Sequence, residues 1–184
     1  MRNGPVGVKP QSKDYTMGNA AAQMRQWDRA YHLYRGDGLP YNARLAIIHE
    51  DLGKGFDIWD LKNDLRIMGL PGARIQQYIV VPDGVSLEIS NVELAGSVLV
   101  EIGGKINIQN CLISAPMDGA VAIASSHNLL FNLYSTIPSG GPTAGAMITL
   151  ESTASYNRVI GCDSQGYSGG IVDLGTNNML VGNV

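Results

Sequence analysis

GVSLEISNVEL, from Gly84 to Leu94, and GKINIQNCLI, from Gly104 to Ile113, can be laid under one another residue by residue. Apolar and polar residues alternate in both, the period of a half-buried strand. Three later stretches fall into the same frame: NLLFNLYS (Asn128 to Ser135), NRVIGCDS (Asn157 to Ser164) and NMLVGNV (Asn178 to Val184). One column of this alignment reads Ile89, Ile108, Leu130, Val159, Leu180. Two positions later a second column reads Asn91, Asn110, Asn132, Gly161, Gly182, with spacings of 19, 22, 29 and 21 residues.

The second column holds only Asn and Gly. These residues tolerate positive φ, Gly because it has no Cβ and Asn because its amide bonds locally. A chain that turns a tight left-handed corner once per repeat would select them. In a stack, the three Asn amides can also bond to one another. Upstream of each stretch lies a further short apolar run: 78–81, 98–100, 121–123, 147–150 and 171–174. Each repeat therefore carries at least two strands, and insertions such as 139–143 fall between repeats. A period of 19 to 29 residues fits a parallel β-helix and is too short for a propeller blade of about 40 residues. Leucine-rich repeats need more leucines per unit than these stretches hold.

Asp64 to Ile75 (DLRIMGLPGARI) is similar to the first coil of the right-handed parallel β-helix superfamily, which includes pectate lyases, polygalacturonases and phage tailspikes. The resemblance covers about residues 64 to 184. It implies an all-β fold: a short right-handed parallel β-helix of about 5–6 coils, preceded by an N-terminal arm and one α-helix. The expected division is 1–63 for arm, helix and a docking or capping segment, and 64–184 for the β-helix.

The 184 residues are 45% hydrophobic and 16% charged, with 23 Gly and a formal net charge of −3. That charge argues against a protein that holds nucleic acid by neutralising phosphates. No apolar run reaches the length of a membrane span, and the N-terminus lacks a signal-peptide core, so synthesis in the host cytoplasm is expected. Cys111 and Cys162 fall in one column with Leu133 between them; two coils exceed disulfide reach, and both read as reduced core thiols.

Residues 1–18 show no periodicity and read as a tail or an arm that orders on a partner. Asn19 to Arg35 reads as a helix capped by Asn19 and ended by Gly36. Trp27, Tyr31 and Tyr34 lie on one face of it, the expected docking or oligomer face. Residues 36–63 are expected to cover one end of the stack. The other end is expected to lie bare, as an open row of strand edges.

Glu101 and Glu151 are the best carboxylate candidates. Both follow an inward apolar residue and should point outward, two coils or roughly 9–10 Å apart. That is at the upper edge of an inverting glycosidase pair, and Ala124 fills the matching place between them. Glu88 and Glu93 read as solvated. His32, His49 and His127 lie in different segments, and His49-Glu50-Asp51 lacks helical zinc spacing. The tripeptide Arg35-Gly36-Asp37 is too short to argue from, and the Gly-rich pairs lack the Lys of a phosphate loop. No catalytic residue, cofactor or metal is expected.

Short β-helices with a docking segment resemble trimeric phage tailspike-like and capsid decoration (cement) proteins. That likeness implies a homotrimer in the virion, bound through its N-terminal segment to the major capsid protein or another virion protein, with no nucleic-acid or membrane partner. The alternative is a tailspike-like protein that binds or degrades polysaccharide, with surface glycans as partners. Tyr134, Tyr156 and Tyr167 are its few candidate platforms.

Overall fold

A computed structural model describes residues 45–48, 58–61, 64–76, 78–116, 118–136 and 141–184. The expected arm, the helix Asn19 to Arg35 and its face Trp27, Tyr31 and Tyr34 lie outside these residues. The described chain is all β, in strands β1 (Leu45–Ile48), β2 (Ile58–Asp60), β3 (Leu65–Gly69), β4 (Arg74–Ile75), β5 (Tyr78–Val81), β6 (Ser86–Ser90), β7 (Glu93–Leu94), β8 (Val98–Val100) and β9 (Lys105–Gln109). It continues through β10 (Leu112–Ile113), β11 (Val121–Ile123), β12 (Leu129–Phe131), β13 (Tyr134–Ser135), β14 (Ala146–Leu150), β15 (Arg158–Ile160), β16 (Gly170–Asp173) and β17 (Met179–Val181).

These strands build three parallel sheets ordered β1-β3-β6-β9-β12-β15-β17, β13-β10-β7-β4 and β16-β14-β11-β8-β5-β2. The chain visits the sheets in rotation, so this is a parallel β-solenoid of about five turns. β1 and β2, both ahead of residue 64, extend it by pairing in register with β3 and β5.

Alternation decides which side chains fill the interior. Ile67, Ile89, Ile108, Leu130, Val159 and Leu180 are paired rung to rung in one inward column. All but Leu180 are at most 1% exposed. The six-stranded sheet adds a column of Val81, Val100, Ile123 and Leu150, each fully buried. Each strand repeats its neighbour's choice, so aliphatic residues stack on aliphatic residues up a narrow core.

Left-handed corners make this winding possible. Asn91, Asn110, Asn132, Gly161 and Gly182 have φ of 57°, 51°, 55°, 63° and 64°. The N–H of each of the first four donates to the level above, as from Asn132 to the Ile160 carbonyl at 2.9 Å. Asn132 Nδ2 also donates to Asn110 Oδ1 at 2.8 Å, so the exposed amides link up the corner.

At the last level, β16 and β17 are the edge strands of their sheets. Three positions in inward columns are polar there: Asp173, Asn178 and Asn183. Asn183 Oδ1 accepts the Cys162 N–H at 2.8 Å, and its Nδ2 donates to the Val159 carbonyl at 2.9 Å. Asn178 Oδ1 accepts the Asn157 N–H, and its Nδ2 donates to Asp173 Oδ1. Side-chain amides thus satisfy backbone groups facing this end. Leu180 remains 40% exposed between them.

Candidate functional surface

Outward residues of the seven-stranded sheet make two rows. One runs Arg66, Glu88, Asn107, Leu129, Arg158, Met179; the other runs Met68, Ser90, Gln109, Phe131, Ile160, Val181. Low in the stack the rows are polar apart from Met68. Arg66 Nε pairs with Glu88 at 3.2 Å, and Gln109 Nε2 donates to Asn107 Oδ1 at 2.8 Å. From β12 upward they become apolar apart from Arg158, with Phe131, Met179 and Val181 exposed. A contiguous apolar strip on a solvent-facing sheet marks an interaction surface.

Two grooves flank this face. One follows the Asn corner, about 550 Å³, lined among others by Asn91, Asn110, Glu93, Leu112 and Tyr134. Glu93 is engaged there by Arg74 Nε at 2.9 Å and Ser114 Oγ at 2.6 Å. The other, about 430 Å³, lies at the opposite corner and is lined by His127, Asn128, Leu129, Tyr156, Asn157, Arg158, Asn177 and Met179.

The second corner is unusual in its residues. His127, Tyr156 and Asn177 have φ of 65°, 55° and 55°. Every other positive-φ residue described is Asn or Gly. A bulky side chain in this region costs about 1–3 kcal/mol and points to a function that retains it. The two exceptions lie on adjacent levels with their rings stacked, centroids 5.4 Å apart.

Beneath this groove runs a buried amide column: Asn128 (2% exposed), Asn157 (0%) and the half-buried Asn178. The Ile106 N–H donates to Asn128 Oδ1 at 2.7 Å, and the Asn128 N–H donates to Asn157 Oδ1 at 2.9 Å. Asn128 Nδ2 donates to Asn157 Oδ1 at 2.8 Å and to Ser125 Oγ at 2.9 Å; Asn157 Nδ2 donates to the Ser125 carbonyl at 3.0 Å. These three residues begin three aligned stretches, where an Asn resembles a turn residue and its inward direction is hidden in the sequence.

Glu101 and Glu151 occupy equivalent places two levels apart, with Ala124 between. The N–H groups of all three donate to the level below, to Val81, Val100 and Ile123 carbonyls. Glu101 is exposed and Glu151 half-buried. Cys111 and Cys162 are free and buried. Burial pushes the Cys111 thiol up to about 11 and raises Cys162, so both are poor nucleophiles at neutral pH. Burial likewise pushes the Tyr167 hydroxyl up to about 12; this ring is inside, donating to the Ala115 carbonyl, and offers no outer platform. Among the described residues no three His, Cys, Asp or Glu side chains cluster as metal ligands.

Compared with family models, curated proteins and solved structures, the chain matches none significantly.

Proposed function

We propose that this protein is a structural virion component: a right-handed parallel β-helix that trimerises and decorates a capsid, docking through its N-terminal segment and stabilising the particle. The observation that carries this reading is the apolar outer strip of Leu129, Phe131, Ile160, Met179 and Val181. A monomer surrounded by water gains nothing from such a strip, whereas a protein covered by its own copies does. The test is co-sedimentation of the purified chain with empty capsids from its own source. Saturable binding that is lost when residues 1–18 are deleted supports the reading. Absence of binding by the full chain sinks it, and unchanged binding after the deletion removes the arm from it.

A second reading, a polysaccharide-binding β-helix, is favoured by the groove at His127 and Tyr156. A 57% exposed tyrosine ring beside Arg158 and the Asn177 amide suits a sugar face with polar substituents. Calorimetric titration with bacterial surface oligosaccharides, repeated on Tyr156→Ala, tests it; no heat from either protein would dismiss it. A degrading activity would require reducing-sugar release that disappears in Glu101→Gln or Glu151→Gln.

A further inference from the structure

The corner between the six- and seven-stranded sheets carries a column of its own: Glu101, Ala124, Glu151, Leu174. Their N–H groups donate in turn to the Val81, Val100, Ile123 and Leu150 carbonyls, so the four stand directly above one another. Each occupies the link from a strand of the six-stranded sheet to the strand of the seven-stranded sheet on its own level: β9, β12, β15 and β17.

Level by level, this column is the chemical complement of the outer sheet face. At β9 the face offers the amides Asn107 and Gln109, and the corner offers Glu101. At β12 it offers Leu129 and Phe131 against Ala124, a large group against a small one. At β15 it offers Arg158 and Ile160, and the corner offers Glu151 as the partner of Arg158. At β17 it offers Met179 and Val181 against Leu174, which is 58% exposed. Within one chain the two charged partners stay apart: among the described residues neither Arg158 nor Glu151 forms an ion pair, whereas Arg66 and Arg74 are paired.

We propose that a second copy of this chain covers the outer face, presenting the Glu101–Leu174 corner to it. A rotation axis parallel to the stack keeps every residue at its own height, so the match survives in a ring of copies. The contact is then heterologous, sheet face to corner, and a three-fold rotation closes it. A two-fold axis perpendicular to the stack reverses the order of levels and loses the match. The inference rests on the trimer part of the function proposed above and gives it a surface.

The experiment is light scattering on the full chain and on charge-exchanged variants, with far-ultraviolet circular dichroism to verify folding. The wild type is expected to scatter as a trimer. Arg158→Glu and Glu151→Arg each set like charges together and should raise the dissociation constant at least about tenfold. The double variant should return toward the wild-type mass, and Phe131→Asp should dissociate without rescue. If Arg158→Glu does not fold, Glu151→Arg on the corner still tests the contact. A monomeric or dimeric wild type, single variants of unchanged mass, or a double variant no better than either single overturns the proposal. Capsid binding by a protein that scatters as a monomer would sink this interface and leave the docking reading standing; a trimer without capsid affinity would do the reverse.

Discussion

The seven-stranded sheet has two halves with opposite chemistry. From β3 to β9 the first inward column is Leu65, Leu87 and Ile106, and the outward row beside it is Arg66, Glu88 and Asn107. From β12 to β17 the same inward column is Asn128, Asn157 and Asn178, and the outward row is Leu129, Arg158 and Met179. The lower half is built like a solitary solenoid, apolar within and polar without. The upper half places amides in this inward column and, apart from Arg158, apolar groups outside. Stacked aliphatic residues hold neighbouring levels together without fixing their register strictly. A buried amide that must meet a particular N–H and a particular carbonyl does fix it, because a slip leaves both unpaired. The apolar surface displaced outward then becomes available for association.

The sharpest way to break this comparison is to make the upper half like the lower. Asn157→Leu should destabilise the protein by about 3 kcal/mol, because it leaves the buried Asn128 N–H and Ser125 carbonyl short of partners. Ile106→Leu in the lower half changes shape but not polarity and should cost less than about 1.5 kcal/mol. Denaturant midpoints with unchanged slopes measure both. A neutral Asn157→Leu would mean that the amide column does not hold the upper levels.

The turn corner is a milder test, since both halves share it. Asn132→Ala should cost about 1–2 kcal/mol, the penalty of a Cβ-bearing residue without a bonding amide in the left-handed region. Asn132→Gly should fall within about 0.5 kcal/mol of the wild type. Equal losses would assign the effect to the Asn132–Asn110 hydrogen bond rather than to the backbone.

That corner was legible in the sequence because it demands only two residue types, at Asn91, Asn110, Asn132, Gly161 and Gly182. The inward column through Ile89 to Leu180 was legible for a similar reason: strand period leaves it no other side. Parity also carried the signal for the amide column, since Asn128, Asn157 and Asn178 stand two residues before Leu130, Val159 and Leu180. An Asn at the start of a strand reads first as a turn residue, which is why its inward direction was missed. The opposite corner left no such trace. His127 and Tyr156 are not residues that announce a positive φ, so their stacked rings appear only in three dimensions. Leu180 read simply as core, although its position in the top level leaves it part-exposed.

Strain at that second corner predicts a smaller effect with the opposite sign. Tyr156→Asn should stabilise the chain by about 1 kcal/mol, by placing at φ of 55° a residue that accepts it, as Asn177 does one level above. Thermal unfolding of the two proteins decides this. A lower midpoint for Tyr156→Asn would show that the ring stack on His127 outweighs the strain, so that the stack itself, and not a function, retains Tyr156.

The smallest change belongs to the polar face of the lower half. The Arg66–Glu88 pair has side chains 58% and 52% exposed, so solvent screens it and ordering the two long chains costs entropy. Arg66→Ala should therefore move stability by no more than about 0.5 kcal/mol, and by less in high salt. It should also leave the mass in solution unchanged, because this end of the sheet face lies below the levels argued to meet a second copy. Ile160→Asp, on the same face four levels higher, should alter the mass. If Arg66→Ala changes association as much as Ile160→Asp does, the two halves of the face are not functionally distinct, and the division drawn at β12 describes composition alone.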